Sequence, residues 1–170
     1  PAGTTDLVLY AVWSLTPCPD AVDADGNTYE SVRLGSLFIC WTTSNLRSRH
    51  YSDGTNREIL DVHESPLGDS YGYLYDWYSV MDTITNTVTD IEEAIATNTP
   101  LQGICPAGWH IPTPAEYEDL TTSYDVTQLM APGWVPDNGT NETGMSLVPA
   151  GYYNSDLDRV ERTLVSGYFW

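Results

Sequence analysis

Residues 104–117, which read Ile-Cys-Pro-Ala-Gly-Trp-His-Ile-Pro-Thr-Pro-Ala-Glu-Tyr, constrain the fold of this chain more than any other stretch. Thr113 and Glu116 have the spacing of a capping box. The Thr113 side chain accepts the Glu116 backbone N–H, and the Glu116 carboxylate accepts the N–H of Thr113. Pro114 falls at the first helical position, where a missing N–H costs nothing. A helix is therefore predicted from Pro114 to about Thr122, with Tyr117 and Leu120 on its inner face. A Pro-x-Gly turn, the Trp109–His110 pair and a locked helix start in so short a span mark the architectural centre of a domain, not an active site.

The chain of 170 residues is long enough for one main domain that buries roughly 70% of its unfolded surface. Six Trp and twelve Tyr against two Phe give a core of amphipathic aromatics whose N–H and O–H groups need partners. The net charge is −18, from 24 acidic and six basic residues. That excludes nucleic acid, whose binding needs a Lys/Arg footprint, and argues against docking on an anionic membrane. The carboxylates are scattered, as on a solvated, self-repelling surface; divalent-cation binding is the competing use. No apolar stretch is long enough to span a bilayer, so this segment is not expected to insert in a membrane. Pro1 opens the sequence without Met or signal peptide, the look of a piece cut from something longer. Three cysteines in an acidic, aromatic, Asn/Thr/Gly-rich chain point to an extracytoplasmic protein and leave one cysteine without an internal partner.

Along the chain, Thr4–Trp13 is a β-prone run. Residues 1–13 form either the end of a preceding β unit or linker, or a strand of the main domain. Asp25-Gly26 signals a hairpin turn, Ser31–Leu34 alternates, and Leu37–Trp41 reads as a buried strand. The Asp23, Asp25, Asn27 spacing resembles the start of a calcium loop but lacks its glycine and its downstream Glu, so it reads as a turn. Tyr71–Tyr75 is predicted as strand or turn, followed by a short helix near Trp77–Met81 and another over Asp90–Ala96. Residues 131–149 form a long irregular loop, a type that is often functional. Residues 151–156 and 166–170 read as late strands separated by a turn.

Several blocks occur together: Asp25-Gly26-Asn27-Thr28-Tyr29; Cys40-Trp41 leading to Asn45-Leu46-Arg47; Tyr71-Gly72-x-Leu74-Tyr75-x-Trp77; Cys105-Pro106-x-Gly108-Trp109-His110; and Pro149-Ala150-Gly151-Tyr152. In this order and spacing, residues 18–170 resemble the Fibrobacter succinogenes major paralogous domain of Bacteroidetes-type surface proteins. The Leu9-Tyr10-Ala11-x-Trp13 ending resembles the last strand of a Listeria–Bacteroides surface repeat. The resemblance implies an α+β, C-type-lectin-like fold: a twisted antiparallel sheet with two short helices and long loops. It also implies that the family pattern is C-terminally incomplete here, and that sheet edges lacking their strands could take one from a neighbour. A late cysteine of the family would partner Cys105, leaving Cys18 to pair with Cys40.

Chemistry-bearing residues are sparse. His110 has no nucleophile signature beside it, and His50 and His63 have no second-ligand pattern, so catalytic and zinc roles are not expected. Cys105 lies outside any Cys-x-x-Cys pair and reads, with Cys18, Cys40, Trp109, His110, Thr113 and Glu116, as structural. The ligand-contact candidate is the loop holding Trp134, Asp137, Asn138, Asn141 and Glu142. An exposed Trp there would stack on a sugar ring, and clustered oxygens would suit calcium, although no cofactor is required. The expected function is non-catalytic recognition or adhesion at a bacterial cell surface, toward a host or microbial glycan or protein. The alternatives are a structural subunit of a surface or pilus-like assembly using strand exchange and, last, a sulfatase-modifying-factor-like enzyme.

Overall fold

Among the described residues the β-structure consists of separate two-stranded hairpins, none longer than four residues per strand. The computed structural model describes residues 17–134 and 138–169. The Thr4–Trp13 run, Asp137 and Trp170 lie outside the described residues. Strand β1 (Ala21–Val22) pairs with β2 (Thr28–Tyr29), and β3 (Ser31–Leu34) with β4 (Ile39–Thr42). Strand β5 (Val62–Glu64) pairs with β6 (Tyr73–Tyr75), and β7 (Tyr152–Asn154) with β8 (Arg159–Glu161). All four pairs are antiparallel.

Acidic side chains hold the turns. In the β1–β2 turn the buried Asp23 carboxylate accepts the N–H groups of Asp25 and Asn27, the Asn27 amide and the Tyr29 hydroxyl. Asp25 accepts the Ser48 hydroxyl and the backbone N–H groups of Arg49 and His50. The Asp-x-Asp-x-Asn spacing is thus a brace between a hairpin and the segment 48–50. The predicted Cys18–Cys40 disulfide is present, with Cα atoms 5.7 Å apart, and ties the first strand region to β4.

The helices are α1 (Trp77–Met81), α2 (Val88–Thr97), α3 (Pro114–Ser123) and α4 (Val126–Leu129). Asp76 caps α1 by accepting the Ser79 N–H, and Thr87 with Asp90 forms a full capping box on α2. The predicted box on α3 is there too: Glu116 accepts the Thr113 N–H at 2.8 Å, and Thr113 accepts the Glu116 N–H. Buried apolar residues form two clusters. One joins Tyr51, Ile59, Val80, Met81, Ile91, Ile104 and Ile111; the other joins Leu34, Trp41, Leu120, Leu129 and Met145.

The mixed α+β class holds, with four corrections. Separate hairpins replace the expected single sheet, because the strands are short and their outer edges are not bridged among the described residues. Among the described residues four helices replace the two that the resemblance implied: those expected near Trp77–Met81, over Asp90–Ala96 and from Pro114 are present, and α4 is the addition. Leu37 and Phe38 are exposed in a turn, not buried in a strand. Asp119 of α3 accepts both the Ser36 and Leu37 N–H groups and so fixes that turn. The partner of β7 is Arg159–Glu161; residues 166–169 make only a bridge between Gly167 and Gly151.

Candidate functional site

The 104–117 block presents its polar groups inward on itself. Trp109 N–H closes the turn onto the Pro106 carbonyl, with Gly108 at φ +82°, the sign a type II turn requires at that position. His110 Nε2 lies 3.0 Å from both carboxylate oxygens of Glu116. Burial acts to raise the Glu116 carboxyl, but the Thr113 N–H, His110 and the Thr113 hydroxyl together hold it below the usual range. Burial alone pushes the Cys105 thiol up to about 12, so it is protonated at neutral pH and a poor nucleophile. The arrangement orients His110 and braces the start of α3.

The block borders a wide opening in the described structure. A cleft of about 670 Å³ lies between the two apolar clusters, with Val80, Ile104 and Ile111 on one side and Trp41, Leu120 and Met145 on the other. Cys105, Trp109, His110 and Glu116 also line it. At its mouth Phe38, Val126, Tyr168 and Phe169 are exposed. Asn45, Leu46 and Tyr73 line it as well, and there the Tyr73 N–H donates to the Leu46 carbonyl at 2.8 Å. A concave, mostly apolar surface with a few polar groups is the form that ligand sites take, and exposed apolar patches of this kind mark interaction surfaces.

The loop singled out in the sequence is internally occupied. The Trp134 indole N–H donates to the Leu147 carbonyl at 2.9 Å, and the side chain is partly buried rather than presented as a free platform. Asn138 accepts the Gly133 N–H, Asn141 bonds both the Ser146 hydroxyl and its N–H, and Glu142 accepts the Gln128 amide. Asp137 is outside the described residues. Among the described residues no group of three or more His, Cys, Asp or Glu side chains is placed to hold a metal ion. Sequence reasoning missed the cleft lining from β4, β6 and residues 145–148. The only local signal was the exposed-looking aromatic pair Tyr168-Phe169, which the alternation reading absorbed into a strand.

No helix of the described residues is long and apolar enough to cross a membrane. No curated protein and no solved structure matches the chain. The Fibrobacter succinogenes major domain matches residues 32–170, from β3 through the cleft-lining segments to the last residue. That span covers most of the sequence and all four helices, and the chain belongs to the Fibrobacter succinogenes major domain family.

Proposed function

We propose that this domain is a non-catalytic recognition module at the bacterial cell surface and that its ligand is a protein bound in the cleft between the two apolar clusters. The observation that carries the reading is the cleft itself, apolar along its walls and rimmed by the exposed Phe38, Val126, Tyr168 and Phe169. Sugar rings are held by hydrogen-bonding side chains around a stacking platform; here Trp134, Asn138, Asn141 and Glu142 each already have a hydrogen-bond partner. The family is a bacterial surface-type domain, and the Cys18–Cys40 disulfide is compatible with an oxidising, extracellular setting. A protonated Cys105 and a His110 occupied by Glu116 support the non-catalytic part of the proposal. A C-type-lectin-like architecture belongs with this reading, since such a domain surrounds short hairpins and two longer helices with long loops.

The test is adhesion of beads carrying the domain to protein-coated and glycan-coated surfaces. Adhesion to protein that falls at least tenfold in Val126→Glu and Tyr168→Glu, both with unchanged circular dichroism, supports the proposal. Adhesion to glycan alone, or adhesion indifferent to both substitutions, overturns it.

A further inference from the structure

Resting on that recognition reading, we infer that the cleft is a strand-acceptor site. It takes one extended segment of another polypeptide, alternately apolar and carrying Lys or Arg at its ends, inserted between the outer edges of β4 and β6. Three observations carry this. First, the cleft is lined by the consecutive residues 38–42 and again by 73–75. Side chains alternate between faces along a strand, so a cavity that touches every residue runs along the edge of that strand and not over one face. Second, among the described residues β4 has a ladder partner only in β3 and β6 only in β5; Tyr73 at the start of β6 already gives its N–H to the Leu46 carbonyl, and beyond that bond the outer edge of each strand has no ladder partner. A strand laid between them would order the sheet as β3-β4-insert-β6-β5, with backbone bonds on both sides and its apolar alternate side chains set against the cleft wall. Third, the cleft wall is mostly apolar, with Arg33, His110 and Glu116 among its ionisable lining residues, on a chain whose net charge is −18.

The same charge chooses among occupants. The chain has net charge −18, its six cationic residues are all arginine, and Arg49, Arg57 and Arg159 are already paired with carboxylates. A second copy would bring the same excess of negative charge to the site, and among the described residues every named strand is already held in its own hairpin. A segment with cationic ends is attracted by that excess of negative charge, while its apolar positions fill the volume between the clusters.

The probe is a capped peptide of four Val-Thr repeats with two lysines at each end, added to the full chain. The readout is backbone hydrogen exchange of residues 39–42 and 73–75. The expected result is slowing of at least tenfold at both segments. A proline in the middle of the peptide should abolish the effect, and glutamate ends in place of lysine should weaken it at least tenfold, a gap that closes as salt is raised. Equal slowing with the proline peptide overturns the inference in favour of simple apolar burial. No slowing at millimolar probe overturns it as well, and if adhesion to protein persists in that case, the recognition reading stands while the strand falls. Slow exchange at both segments without any probe also overturns it: sedimentation as a dimer would name a second copy as occupant, and a monomeric full gene product would name its own chain.

Discussion

Arg57→Met should be the most damaging surface-reachable substitution in this domain, and the reason lies in its partner. The Arg57 guanidinium makes a two-pronged contact with Asp82, at 2.8 and 2.6 Å, and reaches Asp53 at 3.0 Å. It also lies 4.0 Å above the ring of Tyr51. The Asp82 side chain is only 6% exposed, while that of Arg57 is 23% exposed. Removing the arginine strands a buried carboxylate, which costs about 3–5 kcal/mol, more than the pair contributes on balance. Asp82→Asn is milder. Asn tolerates the φ of +51° at this helix end, and the less buried Arg57 keeps Asp53, so about 1–2 kcal/mol is expected. The double variant should recover part of the loss, with a coupling of roughly 1.5–3 kcal/mol. Urea unfolding followed by tryptophan fluorescence reads this directly. At a slope of about 2 kcal/mol/M, Arg57→Met lowers the midpoint by roughly 1.5–2.5 M. Two single variants of equal cost that add to within about 0.5 kcal/mol in the double would refute the argument from buried charge.

Replacing Cys18 and Cys40 together by alanine opens a loop of sequence separation 22 and should lower stability by about 3 kcal/mol, seen as a fall in Tm that reductant reproduces in the parent protein. Glu116 has its folded carboxyl held below the usual range, so its stabilisation is complete above the unfolded value of roughly 4.3 and is lost as pH falls through the folded one. Glu116→Gln should therefore lose less stability than the parent on acidification below about pH 4, measured by urea midpoints across pH. Gly72→Ala places a Cβ 2.4 Å from that of Asn45 at φ +69°, and a loss of more than about 1 kcal/mol in thermal unfolding is expected.

Local chemistry made the helices legible. Thr113 with Glu116 and Pro114 announced α3, and the same kind of signal stood at Thr87-x-x-Asp90, where the helix begins at Val88, two residues before the expected Asp90. Asp125-x-x-Gln128 likewise preceded α4, with the Gln128 side chain accepting the Asp125 N–H. What could not be read depends on distant partners. Leu37 and Phe38 look like strand interior until Asp119, more than eighty positions away, pins their turn. Trp134 looks like an exposed platform until Leu147 accepts its indole N–H. The cleft is of the same kind: it is a property of where β4, β6 and α3 end up, and no window of sequence contains all three.

The division of the apolar interior into two clusters has a consequence for how the molecule comes apart. A continuous core makes unfolding all-or-none, because losing any part exposes the rest; a core divided by an open cleft joins its halves through fewer contacts, among them the Tyr73–Leu46 bond and the bond from the Ala115 N–H of α3 to Asn98. The side holding Tyr51, Ile91 and Ile104 and the side holding Trp41, Leu120 and Met145 should therefore melt as two partly independent units in the empty domain. A ligand seated between them fuses the two transitions into one sharper step at higher temperature. Occupancy of the cleft is then legible in the shape of a calorimetric trace as well as in its midpoint.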